Sequence, residues 1–351
     1  MPKGKPGKVL KDLKDVRKIA STSDYSKIFE QCLLDFILKD ISPHLSKRQY
    51  GGKKGVGTEH LIITMIDRIK QLQDDPEKYA VFLNSYDWKG AFDRLDPTKV
   101  TLKCIKLGIR SSIVKILIDF LNERKMHVKM NQKISTTFDL FGGSPQGSLI
   151  GQILYIIGSD DSAEEVPEEN KYKYIDDLAV LDPVNIKDKL IPYDLVQHVP
   201  SDMAVGQMFL PQNAYQSQEI NNQISEWTTR NLMKINESKS VYMVLSRSKE
   251  TFGIRLSINN HTIKRAQEII LLGVWISEDM SWDKNISEIC KRAYPRIKML
   301  TKLKYVGTPV EDLVELYCMF IRSLTEYCST AFHSSLSQML SNKLENIQKH
   351  A

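Results

Sequence analysis

Three pairs of adjacent aspartates occur in the chain: Asp74-Asp75, Asp160-Asp161 and Asp176-Asp177. Two carboxylates this close raise each other's pKa unless a cation neutralises them, and a divalent metal ion is the natural cation. Magnesium suits such a pair, because it takes one or two carboxylates plus substrate phosphates. The pair at 176–177 is enclosed by 172–175 and 178–181, aromatic and branched runs that read as strands, so the aspartates fall in a hairpin turn. Asp74-Asp75 precedes Pro76 in a polar run, and Asp160-Asp161 leads into Glu164-Glu165, so both read as solvated loop acids. A further carboxylate, Asp87, ends the strand-like segment 79–86, and Asp93 follows six positions later. A carboxylate at a strand end can meet hairpin aspartates across a sheet edge. The local alternative is that Asp87 caps the turn that follows.

Two glycine-rich stretches are candidates for ligand contact. Residues 141–151, Phe-Gly-Gly-Ser-Pro-Gln-Gly-Ser-Leu-Ile-Gly, open an apolar helix that carries Ile153, Leu154 and Ile157. Glycines there let the backbone approach a ligand, and the helix N-terminus is expected to face it. Residues 51–57, Gly-Gly-Lys-Lys-Gly-Val-Gly, form a basic loop without the Gly-Lys-Ser/Thr order of a P-loop, so nucleotide hydrolysis is not supported.

The elements that must position these residues follow from periodicity. Ser23 reads as an N-cap for a helix with Ile28, Leu33, Leu34 and Ile37, stopped by Pro43. Leu61, Ile62, Met65, Ile66 and Ile69 share one face of a helix that opens near Thr58. Asp96-Pro97 caps a third helix, and a fourth covers about 111–124, followed by strands near 127–130 and 136–140. Four prolines between Asp182 and Gln218 make that stretch a long loop or insertion. A helix with Ile220, Ile224 and Trp227 leads to Asn236-Glu237-Ser238-Lys239, a strand at 241–245 and the apolar segment 269–276. The last 70 or so residues read as helical, with Pro295 expected to kink or break a basic helix.

Composition bounds the class. With 351 residues, 42% hydrophobic and 26% charged, the chain can form two or three domains with sizeable cores. Its five cysteines show no paired metal-ligand spacing and read as reduced thiols of an intracellular protein. No apolar run approaches 18 residues, so no membrane partner is expected. The net charge of +6 is unevenly placed, with +5 on residues 1–18 and +6 on residues 284–304, which points to a polyanion.

Taken in order, these residues resemble the reverse transcriptase of a non-LTR (LINE-type) retrotransposon over nearly the whole chain. Val16-Arg17-Lys18-Ile19 with Tyr25 to Glu30 resembles the first block of that family, and Gln49-Tyr50-Gly51 through Thr58 to Leu61 the second. Asp87 to Asp93 resembles the A motif, Gly143-Ser144-Pro145-Gln146-Gly147-Ser148 the B motif and Tyr174-Ile175-Asp176-Asp177 the C motif. Asn236 to Lys239 resembles the D motif, and Leu272-Gly273-Val274 the primer grip. The Tyr-Ile ahead of the aspartates departs from the family's usual Phe-Ala and is closer to retroviral enzymes. The chain begins without an upstream endonuclease and stops where the family's pattern would continue, as expected of a segment cut from a larger polyprotein.

The resemblance implies an α+β right-hand polymerase. Fingers with a basic arm would span 1–78 and the palm, with a small antiparallel sheet, 79–276. Fingers elements would lie at 97–142, an insertion at 182–218 and a primer grip near 269–276; a helical, shortened thumb would fill 277–351. Asp87 and Asp176 would bind two magnesium ions, with manganese as an alternative, roughly 3.5–4 Å apart, and Asp177 would support them. Lys239 would lie near the pyrophosphate as proton donor or positive charge. Gln146 and Gly147 would contact the incoming dNTP, Phe92 would stack under its sugar, and Arg17 and Lys3 would grip its phosphates. Leu272, Gly273, Lys291, Arg292 and Lys298 would hold the RNA template and DNA primer, with use in the nucleus. Two rival readings share these residues: a viral-type RNA-dependent RNA polymerase, and a decayed copy that only binds nucleic acid.

Overall fold

The computed structural model describes residues 19–74, 79–130, 133–185, 191–192, 209–210, 214–246 and 255–351. Its helices begin where local caps put them. Helix α1 (Asp24–Ile41) starts at Ser23, whose Oγ accepts the Ser26 N–H at 3.2 Å, and it buries Leu33, Ile37 and Ile41 at a spacing of four. Helix α2 (Thr58–Gln73) buries Leu61, Ile62, Met65, Ile66 and Ile69. Helix α3 (Pro97–Lys106) is capped by Asp96, which accepts the Lys99 N–H at 2.8 Å, with proline in the first turn. Helix α4 (Ser111–Leu121) and the deeply buried α5 (Leu149–Ser159) complete this half of the molecule. Together α1, α3, α4 and α5 enclose one apolar cluster.

The centre is a five-stranded sheet built from β1 (Tyr79–Tyr86), β2 (Lys171–Tyr174), β3 (Asp177–Asn185), β4 (Val241–Leu245) and β5 (Lys264–Arg265), in the order β5-β4-β1-β3-β2. All pairings are antiparallel except the edge pair of β4 with β5, so the small antiparallel palm sheet is present with one parallel edge. Strand side chains alternate between faces. Val81, Leu83, Ala179, Leu181, Met243 and Leu245 pack with α2 and the C-terminal helices. Ala80, Phe82, Val180, Val184 and Val244 pack under α6 (Ala214–Arg230), with Ile220 and Ile224.

Several boundaries differ from expectation. Ile175 leaves strand geometry and Asp177 opens β3, so the turn is Ile175-Asp176 rather than the two aspartates. The stretch after Asp182 is not loop from its start, because β3 runs on to Asn185 opposite Tyr79, with Pro183 opposite Val81. Beyond Val180 strand β2 no longer pairs, which leaves an open edge where a missing proline N–H removes no ladder bond. Helix α6 likewise begins at Ala214, inside the expected insertion. The strands after α4 also shift, to Arg124–Met126 paired with Phe138–Leu140 and Lys129–Met130 paired with Lys133–Ile134.

A hairpin of β6 (Glu268–Leu271) and β7 (Val274–Ser277) leads into helix α7 (Asp283–Tyr305). Pro295 lies inside α7 and does not break it. An interior proline costs about 3 kcal/mol. Burial of Ile286, Ile289, Ala293, Ile297 and Leu300 along the opposite stripe offsets that, at about 1.5–3 kcal/mol for each large side chain. Helices α8 (Val310–Tyr317) and α9 (Gln338–Lys349) pack on α7.

Candidate active site

The hairpin that carries Asp176 and Asp177 is held from outside. Ile175 sits at φ 57, a left-handed conformation costly for a β-branched residue. Its N–H donates to Gln49 Oε1 at 3.2 Å, and the same oxygen takes the Gly51 N–H at 3.0 Å. The Gln49–Tyr50 backbone also adds to β2, since the Tyr50 N–H donates to Lys173 O at 2.8 Å and the Lys173 N–H to Arg48 O at 3.0 Å. The approach is close enough to require glycine at 51: a Cβ there would lie 2.6 Å from Ile175 Cγ1 and 2.7 Å from Ile175 N. The second sequence block is therefore the clamp on the aspartate turn.

Register brings Asp87 to that turn. Tyr86 pairs with Leu178 across the sheet, so the residue after β1 lies beside the start of β3. The segment that resembles the D motif wraps Asp87 on its other side. Its N–H donates to Ser240 Oγ at 3.2 Å, its carbonyl accepts the Asn236 N–H at 2.7 Å, and its Oδ2 accepts Asn236 Nδ2 at 2.8 Å. Lys239 Nζ stands 3.9 Å from the same Oδ2. Next along, Lys89 Nζ pairs with Glu237 at 2.7 Å, a hydrogen bond that holds the Glu237 carboxyl down at about 2. Asp87 is thus more than a turn cap; it is fastened between two strand ends.

Asp177 senses its two acidic neighbours. Loss of hydration on the protein side, then the charges of Asp176 and Asp87, push the Asp177 carboxyl up to about 6. Asp176 and Asp177 are exposed at the mouth of the site. Among the described residues no three His, Cys, Asp or Glu side chains are gathered into a metal cage. An open edge of mutually repelling carboxylate oxygens fits a hard divalent ion that draws its remaining ligands from water and phosphate.

Beside the carboxylates lies the loop that resembles the B motif. The Ser144 N–H donates to Phe92 O at 2.7 Å, so Phe92 and this loop are tied. The half-buried Phe92 ring stacks on Tyr155 of α5, with centroids 4.9 Å apart and planes at 26°. Tyr155 is fully buried, its hydroxyl has no hydrogen-bond partner among the described residues, and burial followed by the Asp176 and Asp177 charges raises its pKa. Gln146 is half-exposed and its carbonyl accepts the Ala20 N–H at 2.8 Å. Gly147 is exposed at φ 116, and a Cβ there would meet Ala20 O at 2.7 Å. The N-terminus of α5 does not face a ligand as expected, because Glu30 of α1 fills it. An anion built into the chain has taken the place a phosphate would occupy.

Leu272 and Gly273, the residues that resemble the primer grip, form the β6–β7 turn, both with positive φ, and the Leu272 carbonyl accepts the Tyr327 hydroxyl at 2.6 Å. Lys291, Arg292 and Lys298 are exposed on α7. The segment's +6 is not all available outward: Lys284 pairs with Glu268 at 3.1 Å, and Arg296 donates to Phe320 O. Arg17 and Lys3 lie outside the described residues, as does Asp75. Asp160 and Asp161 are not solvated loop acids. Asp161 accepts from Lys103 Nζ at 2.6 Å and Trp227 Nε1 at 2.7 Å, and Asp160 accepts the Ser46 N–H at 3.2 Å.

The family profile described as "Reverse transcriptase (RNA-dependent DNA polymerase)" matches residues 2–276. This chain belongs to the reverse transcriptase family. Curated relatives include the "Probable RNA-directed DNA polymerase from transposon BS" of Drosophila melanogaster, 24% identical over 84% of this chain and 31% of the relative. The "RNA-directed DNA polymerase from mobile element jockey" of the same organism is 26% identical over 81% of this chain and 29% of the relative. The chain thus spans about a third of these relatives' length, and they bear out the resemblance to a non-LTR retrotransposon enzyme. Among solved structures, apo telomerase from Candida tropicalis aligns over 93% of this chain and 54% of that chain, at 11% identity and a TM-score of 0.48. That likeness is too loose to carry weight.

With this reverse transcriptase fold in hand, several supporting residues gain meaning that sequence reading missed. Gln49, Asn236, Ser240, Arg124 and Tyr155 all hold a site residue without standing in a charged or repeated pattern. Arg124 donates to the carbonyls of Gly142 and Gly143 at 2.6 Å each, which pins the glycine loop from the side opposite Glu30. The only prior signal was position inside the matched blocks, as for Gln49 and Asn236.

Proposed function

We propose that this chain copies RNA into DNA, extending a DNA primer with dNTPs as one module of a retrotransposon polyprotein that also carries an endonuclease. One observation carries the reading: sheet register sets Asp87 beside the Asp176-Asp177 turn, where its charge adds to the desolvation and the Asp176 charge that raise the Asp177 carboxyl. Asp87 and Asp176 would hold two magnesium ions, replaceable by manganese, with Asp177 in support. Bound there, the ions supply a more acidic primer 3′-hydroxyl and neutralise charge on the triphosphate.

The chain's own residues do the rest. Asn236 and Ser240 keep Asp87 turned toward the hairpin. Lys239, beside Asp87, offers a positive charge or a proton to the departing pyrophosphate. Gln146 and Gly147 face the incoming nucleotide, and the Phe92 ring, backed by Tyr155, occupies the space a ribose 2′-hydroxyl would need. Arg17 and Lys3 would reach its phosphates from the fingers. Leu272, Gly273 and the exposed lysines and arginine of α7 would hold the primer–template backbone without sequence preference.

The test is primer extension by purified protein on an RNA template, comparing dATP with ATP, with and without magnesium or manganese. Extension with dATP alone, dependent on metal, is expected. Equal use of ATP would instead favour an RNA polymerase, and binding without extension would favour a non-catalytic copy.

A further inference from the structure

Glu30 stands in the middle of α1 and is 1% exposed. A carboxylate this deep must find strong donors, because stripping its water without replacement is prohibitive. All but one of its donors come from the start of α5, beginning 118 residues away. Oε2 accepts the Ser148 hydroxyl at 2.6 Å, the Leu149 N–H at 2.8 Å and, more loosely, the Ile150 N–H at 3.4 Å. Oε1 accepts the Ser26 hydroxyl at 3.3 Å. Ser148 Oγ in turn accepts the Gly151 N–H at 3.0 Å, so Glu30 reaches α5 directly and through its cap. Negative charge at a helix N-terminus also meets the favourable end of the helix dipole.

These contacts sit immediately after Gln146 and Gly147. The same fingers segment holds that pair from the other end, through the Ala20 N–H on the Gln146 carbonyl and Ala20 O against Gly147 Cα. Residues 19–30 and 146–150 are therefore bonded at both ends. A shift of α1 must carry Gln146 with it.

We infer that Glu30 is a positioning residue for nucleotide binding: it locks the Gln146-Gly147 loop to the fingers helix and so sets affinity for the incoming dNTP. The inference rests on the polymerase reading above, in which Gln146 faces the nucleotide. Ordinary helix capping would stabilise the fold alone. Here the capped turn is the nucleotide-facing one, so loosening it must appear in substrate binding.

The experiment compares the wild-type chain with Glu30→Gln and Glu30→Ala, with Asp35→Asn on the exposed face of α1 as control. Removing a charged acceptor from two backbone donors should raise KM for dNTP by about tenfold in Glu30→Gln and more in Glu30→Ala. The kcat should stay within about twofold. Affinity for primer–template should match wild type in every variant. In a double-mutant cycle, Glu30→Gln and Gln146→Ala should be strongly non-additive, since both act through one loop. A second arm needs no activity: hydrogen exchange at the Leu149 and Ile150 amides should quicken about tenfold in Glu30→Gln. Wild-type exchange there would overturn the contact itself. Faster exchange with unchanged KM, or a lowered Tm with unchanged KM, would overturn the positioning role. Should Glu30→Ala fail to fold, Glu30→Gln and Ser148→Ala decide by the same readouts. A wild-type chain that extends no primer would sink the polymerase reading, and the exchange arm would still judge the Glu30 contact.

Discussion

Strand β3 carries two carboxylates whose pKa is pushed to about 6, and they could hardly be more different. Asp177, at its first residue, is exposed and flanked by Asp176 and Asp87. Asp182, five residues on, faces the opposite side and is 1% exposed beneath α6. Burial alone raises Asp182, against a hydrogen bond from Ser217 that lowers it. Its Oδ1, both side-chain atoms of Asn84 and Asn221 Nδ2 have no hydrogen-bond partner among the described residues. The lesson is that a shifted carboxyl does not mark a reactive site. Desolvation is the largest cause at both residues, and only at Asp177 do neighbouring carboxylates add to it. Like charges at an open edge call for a ligand, whereas desolvation under a helix calls only for a proton.

The largest expected effect separates the two ends of the strand. Asp176→Asn should lower primer extension by about a thousandfold or more while circular dichroism stays native, because it would delete one of the proposed metal ligands. Asp182→Asn should leave extension within about twofold. Comparable losses in both variants would erase the distinction.

Aromatic residues offer the next contrast. Phe92→Val, beside the carboxylates, should raise ATP use relative to dATP by about a hundredfold in single-nucleotide insertion, if the proposed packing of its ring rejects the 2′-hydroxyl by collision. Phe82, stacked on Tyr242 inside the sheet, should behave oppositely. Phe82→Val should cost about 2–4 kcal/mol in urea unfolding and leave nucleotide choice unchanged.

Titration sharpens the comparison further. The folded Asp182 carboxyl binds its proton more tightly than the unfolded one, whose pKa is near 3.8. Its stabilising contribution is full below the unfolded value and is lost as pH rises through about 6. Asp182→Asn should therefore flatten the stability curve across that window and raise stability at neutral pH by about 1–2 kcal/mol. Millimolar magnesium should raise the Tm of wild type and Asp182→Asn alike, and should not raise that of Asp176→Asn.

The smallest effect concerns charges that belong to neither end. With Lys284 and Arg296 engaged within the fold, about four or five α7 cations remain for a duplex, which gives a log–log salt slope of about −4. Lys291→Ala, Arg292→Ala and Lys298→Ala combined should make that slope shallower by about two to three units without altering nucleotide preference.

Local chemistry explains what could be read before the fold was known. Ser23 and Asp96 cap the helices they precede, Tyr79–Tyr86 reads as a strand that ends at Asp87, and Asp176-Asp177 sits between two strand-like runs. Each rests on contacts within a few residues, so composition and spacing suffice. Blocks in family order then identified the polymerase, because motif order survives when identity falls to 24–26%. Pro295 and Pro183 misled for the same local reason: a proline's cost is visible in the sequence, whereas the buried stripe or open strand edge that offsets it is not.

The remaining features were decided only by tertiary structure. Gln49 grips a turn 126 residues away, and Glu30 enters a helix end 118 residues away. Asp161, which reads as a loop acid, joins Lys103 to Trp227. A lone glutamine, glutamate or aspartate has no pattern of its own. Its role comes from which distant backbone donors it meets once the apolar faces have packed, and those meetings are a property of the whole fold.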